Sequence, residues 1–159
     1  MKTSGVDPVP SRSRKVTVTV ITAGDAIEAE AIAVPVSAGA SVPDALPGVD
    51  LDALARAGFT PKVGKALAFP SSEQPVQVAV GVGDAGALTV AAVRDAAAAF
   101  ARAVPQDARL AARVPDGGLD VADVAAAIVE GVLLARYVFT LKSASGAARA
   151  VESLVLVAA

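Results

Sequence analysis

The sequence predicts an α/β domain in which helices cover both faces of a mixed sheet. Three observations predict it. Segments with strand pattern alternate with segments of helical periodicity along the chain. One strand candidate, Ala31–Val36 (AIAVPV), is a continuous apolar run of the sort that is buried on both faces. Two others, Val63–Phe69 and Val76–Val82, are joined by the short polar turn Pro70–Pro75, which makes them an antiparallel pair.

The elements follow in order. Residues 1–14, within MKTSGVDPVPSRSRK, hold two prolines and three serines and lack the apolar core of a secretory signal; they read as a flexible polar tail. In Lys15–Ile21 (KVTVTVI), Val16, Val18 and Val20 alternate with Lys15, Thr17 and Thr19, the period of a half-buried strand. Ala23-Gly24-Asp25 turns the chain. Pro35 limits the strand Ala31–Val36, because it has no N–H for a ladder. A stretch rich in Gly, Ser and Pro runs from Ser37 to Gly48. Asp50–Ala57 (DLDALARA) is a short helix with Asp50 as N-cap and Gly58 as its stop.

After the two paired strands, Thr89 caps a helix whose Val93, Ala97, Phe100 and Val104 share one face; Arg94, Asp95 and Arg102 lie away from it, and Pro105 ends it. Ala108–Val114 is a weaker strand, interrupted by Arg109 and Arg113, and Pro115–Gly118 is a turn. Asp120 caps the longest helix, with Asp123 in its first turn. Its stripe is Val121, Val124, Ile128, Val132, Ala135 and Phe139, widened by Val129 and Leu133. Val151–Val157 (VESLVLV) is the last strand.

Composition narrows the chemistry. Of 159 residues 54% are hydrophobic and 19% charged, enough to form a core. Fourteen basic against sixteen acidic residues give a formal charge of −2, which offers nothing to nucleic acid or an anionic membrane. There is no Cys and no His. Disulfides, thiolate metal sites and histidine-assisted nucleophiles are excluded within this chain. Val121–Leu134 is the most apolar helical region, and Asp123 and Glu130 break it, so no membrane span is expected.

Four constellations carry candidate chemistry. Gly81-Val82-Gly83-Asp84-Ala85-Gly86 fits a G-x-G-x-x-G loop between strand and helix. Asp84 puts a negative charge inside it, and Asp107 precedes the next strand instead of ending it, so an ordinary strand-to-helix turn is favoured. Asp44, Asp50 and Asp52 have no calcium-loop spacing and read as solvated surface. Glu130, inside the apolar helix, is either a buried acid or faces outward to meet an arginine such as Arg136. Arg12, Arg14 and Lys15 form a small solubilising basic cluster.

Several segments, in order from about Val16 onward, resemble the N-terminal domain of the cytosol (leucyl) aminopeptidase family. Ala31–Val36 is similar to an early strand with Pro. Gly58-Phe59-Thr60-Pro61-Lys62-Val63-Gly64-Lys65 looks like its Phe-x-Gly-Lys stretch, with Pro61 in place of the usual Gly. Val78–Gly83 is similar to a strand ending in Gly-x-Gly. Ile128–Phe139 (IVEGVLLARYVF), followed by Lys142-Ser143, looks like its Glu-Gly-x-x-Leu-x-x-Tyr-x-Phe helix.

The resemblance implies a three-layer α/β/α sandwich with a mixed sheet, similar to macro domains, spanning 15–159. It implies a non-catalytic domain that supports oligomer assembly. Its partners would be its own C-terminal catalytic domain and neighbouring subunits of a cytoplasmic homo-hexamer. That catalytic domain, absent from this chain, would hold two divalent cations, manganese or zinc, and an Asn-Thr-Asp-Ala-Glu-Gly-Arg motif. No catalytic, cofactor-binding or metal residue is therefore assigned here, and the chain is expected to be a fragment inactive by itself. The alternative is a stand-alone macro-like module that binds a nucleotide or ADP-ribose; regulatory DNA binding is a third reading that the charge balance opposes.

Overall fold

A computed structural model describes residues 15–46, 48–69, 75–137 and 148–158. The tail 1–14 with Arg12 and Arg14, most of the turn 70–75, and Phe139 with Lys142-Ser143 lie outside the described residues. The strands are β1 (Thr17–Thr22), β2 (Ala31–Ala38), β3 (Ala66–Ala68), β4 (Val76–Asp84), β5 (Arg109–Arg113) and β6 (Ser153–Ala158). The helices are α1 (Leu51–Arg56), α2 (Val90–Ala103) and α3 (Val121–Ala135). The strands form one mixed sheet in the order β1-β6-β5-β2-β4-β3, in which β3 alone runs antiparallel to its neighbour.

The alternation along β2 divides the layers. Ala31 and Ala33 point to the face covered by α2 and α3, where they join Leu110, Phe100, Ile128 and Leu154 in one apolar cluster. Val34 and Val36 point the other way and pack with Leu46, Leu54 of α1, Phe59 and Ala79. Helices thus lie on both faces, and β2 is buried as its apolar run predicts. Pro35 lies two residues beyond Ala33, the last residue of β2 paired with β5, and the ladder to β4 shifts register just beyond it, between Val36 and Ser37.

Three helix starts are where the sequence places them. Asp50 accepts from the Ala53 N–H at 2.6 Å, Thr89 from Ala92 at 3.1 Å, and Asp120 from Ala122 and Asp123 at 2.9 and 3.1 Å. Val93, Ala97, Phe100 and Val104 are all buried.

Three expectations need correction. The first strand is not half-buried: β1 is an edge strand paired only with β6, and Val18 and Val20 are 43% and 65% exposed. Alternation reports two faces, but strand order decides whether either is covered. The strand expected over Val63–Phe69 is only Ala66–Ala68, because the segment before it turns through Gly64 at φ 83°. Val121 leaves the apolar stripe and lies exposed, since the first turn of α3 overhangs the core.

At the amino ends of the strands Glu30 joins three of them. Its Oε2 accepts from the Ala108 and Arg109 N–H groups at 2.7 and 2.9 Å, and its Oε1 faces the Arg109 and Arg149 guanidinium groups at 3.6 and 3.7 Å. Its own N–H donates to the Arg109 carbonyl, and its carbonyl accepts from Val76. Those N–H groups first, and the arginines after them, hold its carboxyl below the usual glutamate range. A carboxylate with a lowered folded pKa stabilises above its unfolded value, about 4.3, and loses that contribution as pH falls through the folded value. Acid unfolding should therefore steepen below about pH 4.3. Glu30→Gln should cost about 1–3 kcal/mol at pH 7 and flatten that acid limb in denaturant titrations.

Candidate functional site

The glycine-rich loop is packed against its own chain. A Cβ on Gly81 would strike the Lys62 carbonyl, because β4 runs against the 61–65 segment: Gly81 N–H donates to the Lys65 carbonyl at 2.9 Å and Gly83 N–H to the Pro61 carbonyl at 2.8 Å. Gly83 has φ 87°, which a side chain would strain. The Asp84 carboxylate accepts from Gly86 N–H at 2.8 Å and so occupies the donor a phosphate would need. Here the glycines allow the close approach of two backbone segments.

The structure separates the acidic residues singled out in the sequence. Asp50 caps α1, Asp52 sits exposed in that helix's first turn, and Asp44 lies in the loop before it. Glu130 is exposed and pairs with Arg94 on α2 at 3.0 Å, not with Arg136. Lys15 is exposed at the start of the described chain. Among the described residues no group of three or more carboxylates gathers as a metal would require.

Arg136 has a role the sequence does not announce. It is 6% exposed and directs its donors only at backbone carbonyls. Nε donates to Ala101 at 2.7 Å; Nη1 donates to Pro105 at 2.9 Å and Arg149 at 2.7 Å; Nη2 donates to Val104 and, at 3.1 Å, to Asp107. Burial lowers its pKa from the usual value, and Asp107 partly opposes that shift. The side chain thereby satisfies the carboxyl end of α2, the 105–107 turn and the approach to β6.

At the opposite end of the sheet lies a crevice of about 350 Å³. It forms because neighbouring strands send their chains to opposite faces. β2 leads to α1, β5 leads to α3, and the two loops part above the strand ends. Ser37, Ser41 and Asp44 come from the β2 side, Arg113 and Asp116 from the β5 side, with Val157 and Ala158 of β6 beside them. Arg113 ends β5 opposite Val157, and its Nε is buried with no hydrogen-bond partner among the described residues. In the sequence Arg113 reads as an interruption of an apolar strand; that cation at a buried strand's last position was the available signal.

These features define a class: a three-layer α/β/α scaffold whose acidic groups serve helix caps, strand junctions and surface. Its relatives place it more closely. The model for "Cytosol aminopeptidase family, N-terminal domain" matches residues 20–145, and the chain belongs to that family. Among solved structures it is similar to the bottromycin maturation enzyme BotP, at 34% identity and TM-score 0.62, over 83% of this chain and 28% of that one. A structure of BotP in complex with Mn matches at 29% identity and TM-score 0.58, over 81% of this chain and 26% of that one. A tomato leucine aminopeptidase mutant, K354E, shares the fold at 19% identity and TM-score 0.69, over 94% of this chain and 34% of that one. The chain thus spans about a quarter to a third of these proteins. No curated protein matches it.

Proposed function

We propose that residues 15–159 are the non-catalytic N-terminal domain of a cytoplasmic, metal-dependent leucyl aminopeptidase that removes N-terminal residues from peptides. In this reading the hydrolysis and its two divalent cations, manganese or zinc, belong to a C-terminal catalytic domain. This domain helps assemble the parent homo-hexamer by contacting that catalytic domain and neighbouring subunits. The family match over residues 20–145 carries the reading. The Mn of the BotP structure is compatible with it. The described carboxylates of this chain do not fit a two-metal centre, since they are dispersed over caps, junctions and surface. No helix among the described residues is long and apolar enough to cross a membrane.

An assembly role is supported by β1. Thr17 and Ala23 N–H groups donate toward β6, so the alternate residues Val18 and Val20 turn their backbone groups to the open edge of the sheet. That edge carries exposed valines and no proline, a surface suited to coverage by another chain segment.

Two measurements test the reading. The chain assayed with leucine p-nitroanilide and manganese should show no turnover above the blank; turnover would overturn the assignment of catalysis to another domain. Val18→Lys with Val20→Lys, in the protein that carries this domain, should lower the sedimenting mass and leave the domain's melting temperature unchanged. An unchanged mass would remove this edge from the assembly.

A further inference from the structure

We propose that the crevice above β2 and β5 binds a small zwitterion, an α-amino acid or short peptide. Arg113 would hold its carboxylate, and Asp44 or Asp116 its ammonium group. Such a site goes beyond an assembly role: it would let a non-catalytic domain sense the kind of molecule that peptide hydrolysis consumes and releases.

Four observations lead there. The first is position, because the crevice lies outside the carboxyl ends of parallel strands where adjacent connections diverge, the place at which open α/β sheets bind ligands. The second is Arg113. Its backbone is fixed in β5, and its buried Nε has no partner among the described residues. A carboxylate bound in the crevice would give this guanidinium, which forms no ion pair among the described residues, a partner through its Nη groups.

The third is the arrangement of charge. Asp44 and Asp116 line the same cavity as Arg113, yet among the described residues neither forms an ion pair with it. A guanidinium and two carboxylates are thus held apart around one space. A simple anion there meets two carboxylates, and a simple cation meets the guanidinium. A ligand with both signs a few ångströms apart complements all three groups, and the Ser37 and Ser41 hydroxyls supply further hydrogen bonds.

The fourth is size and lining. A volume of about 350 Å³ suits an amino acid or dipeptide. Among the described residues no aromatic side chain lines the crevice, so a nucleobase would find no ring to stack on, and a diphosphate would find one arginine against two aspartates. The lining therefore favours the zwitterion over a nucleotide or ADP-ribose.

The test is calorimetric titration of the purified chain with L-leucine and L-leucylglycine. The comparison ligands are N-acetylleucine, which lacks the ammonium, leucinamide, which lacks the carboxylate, and AMP. Saturable binding of the zwitterions is expected, weaker by about tenfold or more for each blocked ligand. Arg113→Gln and Asp116→Asn should each weaken the zwitterions by a similar factor. Asp44→Asn, at an exposed side chain, should do the same with an unchanged melting temperature, or Asp116 alone should carry the ammonium. The proposal is overturned by no heat with either zwitterion up to about 10 mM, by blocked ligands that bind equally well, by insensitivity to all three substitutions, or by AMP binding more tightly than the zwitterions.

Discussion

Arg136→Leu is expected to destabilise the domain by about 3–5 kcal/mol, the loss from leaving several buried carbonyl acceptors without a donor. The leucine would fill much of the same volume, but five carbonyl groups would lose the guanidinium. Those of Val104 and Pro105 keep the Asp107 and Arg149 N–H groups as donors, whereas those of Ala101, Asp107 and Arg149 keep none among the described residues. Each buried acceptor left unpaired costs about 1–3 kcal/mol unless water reaches it. The turn after α2 is partly exposed, so some will be rehydrated, which keeps the total below the simple sum. Against a net stability of about 5–15 kcal/mol the loss is severe. At about 2–4 °C per kcal/mol for a chain of this size, the melting temperature should fall by roughly 6–20 °C.

Arg136→Lys distinguishes fork from charge. Lysine keeps the cation but offers three donors on one atom, which cannot reach five carbonyls spread around a plane. It should recover less than half of the lost stability. Amide exchange should quicken first at the carboxyl end of α2 and before β6, since Arg136 ties these to α3. A leucine variant that melts within about 1 kcal/mol of the parent would mean that water replaces the guanidinium at little cost.

The difference between α2 and Arg136 shows where legibility stops. The α2 stripe, its Thr89 cap and its end at Pro105 are local, set within one helix by spacing and by backbone chemistry. The same holds for Asp50 and Asp120, each of which caps through a residue two or three positions away. Arg136 binds carbonyls 13 to 35 residues distant, so its role exists only after the chain has folded. The crevice is similar. Arg113, Asp44 and Asp116 meet because β2 and β5 are neighbours, an adjacency that periodicity does not encode. Strand order also explains β1, whose alternation is genuine but whose place at the edge leaves Val18 and Val20 uncovered. The family resemblance supplied the layered fold that local pattern could only suggest.

Gly131→Ala separates local preference from packing by the sign of its effect. Gly131 lies inside α3, where alanine should stabilise by about 1 kcal/mol on helix propensity alone. In the fold, an added Cβ would collide with the Arg94 carbonyl of α2 and come within 3.0 Å of Ala97 Cβ. The colliding oxygen belongs to helix backbone and cannot rotate away, so the helices must move apart or α3 must shift along its axis. Overpacking of this kind costs about 1–3 kcal/mol, enough to reverse the propensity gain. Gly131→Val adds two further carbons at the same point and should exceed that range, with loosened contacts at Phe100 and Ile128 beneath. Chemical denaturation of Gly131→Ala, Ala97→Gly and the double variant completes the test. Ala97→Gly removes only the side-chain part of the collision, so it should restore a fraction of the loss and leave the backbone part. A more stable Gly131→Ala protein would show that α2 and α3 separate freely, and the close helix crossing would no longer explain the glycine.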